Sequence, residues 1–76
     1  GSHGQVFGTD AEFHYNLEQI KTKLLELKGI ENVELNFFKF PREFTVYTSK
    51  LTNIKDVEEK VKSLGFHAIP KSVFKI

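Results

Sequence analysis

Apolar positions along the chain recur at two different periods. Leu17, Ile20, Leu24 and Leu27 follow one another at steps of three and four, with Leu25 widening the stripe. That is the spacing of one helical face, and it predicts a helix over Asn16–Lys28. Ile54, Val57, Val61 and Leu64 repeat the pattern and predict a second helix beginning after Asn53. Between them the period drops to two. Val33, Leu35 and Phe37 alternate with Glu34, Asn36 and Phe38, which predicts a strand over Glu31–Phe38. A second alternating run, Glu43–Ser49, places Phe44 and Val46 on one face and Thr45 and Tyr47 on the other. The connection Lys39-Phe40-Pro41-Arg42 holds a proline that cannot donate to a sheet ladder, so the two runs read as an antiparallel hairpin.

The ends are less sharply patterned. A first strand is expected somewhere within residues 5–15, either at Gln5-Val6-Phe7-Gly8 or at Glu12-Phe13-His14-Tyr15, with Gly8-Thr9-Asp10 as a turn between them. A fourth strand is expected at Phe66-His67-Ala68-Ile69, stopped by Pro70, with a short apolar tail over 71–76. Local signals bound the helices. Asn16 is suited to cap the first helix, with Gln19 three residues on and Glu18 near the positive end, and Asn53 is suited to cap the second, with Asp56 in its first turn. Gly29 and Gly65 supply left-handed stops. Glu58 and Lys62 stand four apart and are expected to pair on the wet face.

The resulting order is β-α-β-β-α-β. Two helices with one apolar stripe each must cover one face of an antiparallel sheet. The expected class is therefore α+β, a ferredoxin-like βαββαβ sandwich with two helices on one face of a four-stranded antiparallel sheet. Gly1-Ser2-His3 reads as an expression scar, and residues 4–76 as a single domain.

Composition narrows the function. No cysteine is present among the 76 residues, which removes disulfides and thiolate metal ligands from this chain. Eleven basic and ten acidic residues leave a formal charge of +1, without the basic excess of a nucleic-acid binder. No apolar run approaches the roughly 18 residues that span a bilayer. No Ser/His/Asp set, thiol or Gly-rich phosphate loop is visible, so no enzyme is expected. A cytoplasmic location is the working expectation.

Two stretches resemble the heavy-metal-associated domain family. Leu24-Leu25-Glu26-Leu27-Lys28-Gly29-Ile30-Glu31-Asn32-Val33 is similar to the helix, Leu-x-x-Gly-Val-type turn and alternating strand of those domains. Ser49-Lys50-Leu51-Thr52-Asn53-Ile54, followed by Val57, Val61 and Leu64-Gly65-Phe66, is similar to their second half. The resemblance covers roughly residues 16 to 69. Phe40-Pro41-Arg42-Glu43-Phe44-Thr45 and Gly65-Phe66-His67-Ala68-Ile69-Pro70-Lys71 look like a divergent bacterial branch described as cation-transporter-like. By the family's spacing, its CxxC cysteines would fall at Phe13 and Asn16, and its loop glycine near Asp10. None of the three matches. Phenylalanine and an asparagine amide cannot hold Cu(I) as two thiolates do.

What the resemblance leaves open is a binding or regulatory module working through protein contacts, including self-association. Phe38 and Tyr47 are the contact candidates, expected on the open face of the sheet with Asn36, Thr45 and Glu34. An RNA-stacking platform would need a basic surround that is missing. The alternative is a divalent-ion or transport-accessory module. It would use His14 and His67, with Asp10 or Glu12 nearby, to hold Zn, Ni or Cu(II) weakly. That reading depends on the fold bringing His14 and His67 together.

Overall fold

A computed structural model describes residues 3–49 and 53–71. The chain runs β1 (His3–Thr9), α1 (His14–Leu24), β2 (Ile30–Asn36), β3 (Glu43–Thr48), α2 (Ile54–Lys62) and β4 (Ala68–Pro70). The sheet order is β2-β3-β1-β4, and all three pairings are antiparallel. Leu17, Ile20 and Leu24 of α1 and Val57 and Val61 of α2 share one buried cluster with Phe7, Val33, Phe44, Val46 and Ala68 of the sheet. Both helices therefore cover the same face, as the one-sided stripes require.

The inner face is built by register. Phe7 pairs with Phe44 across β1 and β3, and their rings stack with centroids 5.3 Å apart and planes 14° from parallel. Val33 sits opposite Val46, and Leu35 opposite Phe44. Inward Phe44 and Val46, and outward Thr45 and Tyr47, follow the alternation read from the sequence. Thr48 is also buried. Of the two options for the first strand, the Gln5–Gly8 run is the one in the sheet. Glu12–Tyr15 turns into the helix instead, so Phe13 and Tyr15 are not strand residues.

α1 differs from the expected Asn16–Lys28 at both ends. It begins at His14, with Phe13 in the N-cap position, no side-chain cap and no acidic residue in the first turn. Asn16 is already inside the helix, where its Nδ2 donates to Gln19 Oε1 at 3.2 Å, so it does not cap, and Glu18 lies past the first turn. The Phe13 carbonyl takes the first helical bonds, from Asn16 N–H at 3.0 Å and Leu17 N–H at 3.2 Å. At the other end the helix tightens. Glu26 N–H bonds Lys23 O and Leu27 N–H bonds Leu24 O, three residues back in each case, which rotates Leu25 into solvent. Gly29 then takes the left-handed turn at φ 91°.

α2 follows its signals more closely. Asn53 Oδ1 accepts Lys55 N–H at 2.9 Å, Asp56 lies in the first turn, Lys60 and Lys62 lie in the last, and Gly65 follows at φ 92°. Lys60 reaches Glu26 beyond α1 at 3.8 Å, in place of the expected Glu58–Lys62 pair. β4 is shorter and later than expected, because Phe66 and His67 belong to the loop that carries the chain off α2. Of the tail, only Lys71 is among the described residues.

Candidate contact surface at the loop end of the sheet

The segment between β1 and α1 is held by contacts from three directions. Thr9 Oγ1 accepts Ala11 N–H at 3.3 Å and tightens the turn. Asp10 Oδ1 accepts the backbone N–H of His67 at 2.8 Å, a bond between residues 57 apart in sequence. Arg42, from the β2–β3 hairpin, donates Nε to the Glu12 carbonyl at 3.2 Å and Nη1 to the Lys39 carbonyl at 3.1 Å. Thr9 N–H also donates to Arg42 O at 2.9 Å. Loop, hairpin and β4 entry are thereby locked into one end of the domain.

The predicted ion ligands do not form a site there. Asp10 reaches the loop of His67, but it does so through the His67 backbone, as a clamp. His14 is the first residue of α1, and its ring packs on Phe37 with centroids 4.2 Å apart. Glu12 contributes its carbonyl to Arg42. Among the described residues, no group of three or more His, Asp or Glu is placed to hold a metal ion. An open groove of about 510 Å³ lies at the clamp, lined by Gly8, Asp10, Pro41, His67, Ile69 and Pro70 among others.

The contact candidates separate. Tyr47 does lie on the open face. It sits opposite Gly4, where a Cβ would come within 3.0 Å of the ring, so the missing side chain lets the ring lie flat on β1. Its hydroxyl donates to Glu34 Oε1 at 3.2 Å, and that hydrogen bond, followed by the carboxylate's charge, raises the phenol above its ordinary pKa. The aliphatic chain of Lys71 lies over Gly8 in the same way, and its Nζ meets Glu43 at 3.1 Å. Phe38 is not on that face. β2 ends at Asn36, whose Oδ1 accepts Phe38 N–H at 3.0 Å and turns the chain out of the sheet.

Phe38 is 97% exposed, and Phe40, in the same hairpin, 79%. On the neighbouring loop and helix start, Phe13 and Tyr15 are 61% and 66% exposed and stack on each other with centroids 6.1 Å apart and planes 16° from parallel. Phe13 and Tyr15 were candidates for the first strand only in one of its two options, and this grouping was not foreseen. The available signal was the density of rings in Phe13–Tyr15 and Phe37–Phe40, which exceeds what two half-buried strands need.

Similar solved structures include copper transporter and copper chaperone domains. A yeast copper transporter domain superposes with a TM-score of 0.80 at 16% identity, covering 91% of this chain and 94% of that one. The oxidized form of MerP from Ralstonia metallidurans gives 0.80 at 12% identity, covering 95% and 100%. The N-terminal domain of a potential copper-translocating P-type ATPase from Bacillus subtilis gives 0.76 at 18%, with both chains fully covered. The chain has the fold of a heavy-metal-associated domain. No family model matches the sequence, and no curated protein matches it.

Set on the heavy-metal-associated fold, the departures have definite places. Phe13, at the first expected CxxC position, is exposed and stacked on Tyr15, while Asn16, at the second, is buried in the first turn of α1. Asp10, near the expected loop glycine, spends its carboxylate on the His67 amide. The loop end of this domain is thus aromatic and internally hydrogen-bonded, and contains no thiol. Among the described residues, no helix is long and apolar enough to cross a membrane.

Proposed function

We propose that this chain is a non-catalytic binding module that works through protein contacts made at the loop end of its sheet. The observation that carries this reading is the exposure of four aromatic rings, Phe13, Tyr15, Phe38 and Phe40, at one end of a domain whose other large apolar side chains are mostly packed. The largest apolar patch on a monomer, about 300–600 Å², is often its contact site. The backbone that carries the rings is tied by Arg42, which joins hairpin to loop, and by the His14–Phe37 contact. Phe13 and Tyr15 are already stacked on each other, which lowers the side-chain entropy they lose on binding.

The small domains that share this fold include copper transporter and chaperone domains, which supports an accessory module. The absence of cysteine takes thiolate metal transfer away from this chain and leaves the surface as its working part.

A photo-cross-linking amino acid at position 40, with position 55 on the exposed face of α2 as control, tests the reading in cells. A discrete protein adduct from position 40 and none from 55 is the expected result. No adduct from position 40, or equal labelling from both, refutes it.

A further inference from the structure

We infer that the partner at this end is a second copy of the same chain, related by a twofold axis. The inference rests on the protein-contact reading and specifies its partner. A twofold interface must be complementary to itself, so both halves of each contact must be present on one surface. This end carries both. One half is an aromatic finger, Phe38-Lys39-Phe40, with the Lys39 side chain 60% exposed. The other is an aromatic ledge, Phe13 stacked on Tyr15, flanked in sequence by exposed Glu12 and Glu18. The finger of one copy set on the ledge of the other brings ring to ring and ammonium to carboxylate twice over.

Complete burial of the four rings would bring the area to the threshold of a specific interface. At about 200 Å² per ring, the exposed fractions of the four residues amount to about 600 Å² per copy, or about 1,200 Å² in total. That is the lower bound of a specific interface, about 1,200–2,000 Å², so a weak, reversible dimer is expected. Lys39 is available for the exchange. Its own partner, Glu43, lies 3.8 Å away and is held more closely by Lys71, at 3.1 Å. Pairing along the sheet edges is discouraged by Glu34 on β2 and by the three-residue length and Pro70 of β4.

Sedimentation equilibrium and a ¹H–¹⁵N dilution series over about 10 µM to 1 mM, the range of a weak, reversible dimer, test the inference on the purified chain. Dilution shifts should map to residues 12–18 and 37–42. F38A/F40A removes only exposed rings and should keep the native spectrum while raising the dissociation constant at least tenfold. K39E should weaken the dimer severalfold, and mixing it with E12K/E18K should restore association.

A chain that stays monomeric at 1 mM overturns the inference, as do dilution shifts confined to Ile30–Asn36. So does binding of the monomer, through Phe38 and Phe40, to phosphatidylcholine/phosphatidylserine vesicles. A monomer that still gives a discrete heterologous adduct from position 40 overturns only the choice of partner. A monomer with no adduct overturns the contact reading as well.

Discussion

Replacing Asp10 by alanine removes one hydrogen bond, and the structure sets what that bond is worth. The Asp10 Oδ1 to His67 N–H contact is 2.8 Å, a well-formed hydrogen bond from an amide to a carboxylate. Bonds to charged groups contribute about 1.5–3 kcal/mol, but both partners here are exposed, and screening brings the expected loss to about 1 kcal/mol. For 76 residues the whole folding free energy is on the order of 4–11 kcal/mol, so the loss is measurable without unfolding the domain. The bond joins residues 57 apart and fixes the entry to β4, a three-residue strand paired only with β1, so the effect should be local first. Amide exchange at His67 should quicken about fivefold in D10A, and the urea midpoint should fall by about 1 M for a slope near 1 kcal/mol/M. D10N keeps an acceptor oxygen without the charge and should fall between the two. If His67 exchange is unchanged in D10A while the midpoint drops, the clamp is not the source of the loss and the assignment is refuted.

Three other outcomes follow from the geometry. The Phe7–Phe44 stack should show a coupling of about 0.5–1.5 kcal/mol in a double-mutant cycle of F7L and F44L read by urea unfolding, and purely additive costs would assign the pair nothing beyond its buried area. Tyr47 should ionise above the ordinary tyrosine value near 10, and E34Q should bring it down in a spectrophotometric titration. Because the folded-state value is the raised one, this pair stabilises the fold below pH 10, and its contribution disappears as pH rises through the folded-state value. Zinc or nickel added in modest excess should leave the ring resonances of His14 and His67 in place, since no third ligand stands with them among the described residues; selective shifts at both rings would revive the ion site.

Much of the architecture was legible because it is written in local periodicity. The stripe Leu17-Ile20-Leu24 and the alternation through Phe44, Thr45, Val46 and Tyr47 each require only that one face be buried, and burial is where they ended. Asn53 and Gly65 were legible for the same reason, since a cap and a left-handed stop act on the backbone within a few residues. Asn16 shows the limit. Its sequence context suits a cap, yet the helix starts two residues earlier, because the position of the loop is set by Asp10 and Arg42 reaching residues far along the chain.

The sequence alone determined most of the helix and hairpin core, the βαββαβ order and the absence of thiol chemistry, because periodicity and composition are properties of the chain itself; Leu25 and Ile54, read into the apolar stripes, are exposed. Only the tertiary structure decided the fate of the run from Asp10 to Asn16. It turned a candidate ligand into a clamp and set His14 on Phe37. It also gathered Phe13, Tyr15, Phe38 and Phe40 at one end of the sheet. Those outcomes depend on which distant segments are brought within hydrogen-bond or ring-contact distance, and that is fixed by packing the two helices on the sheet and not by any local spacing.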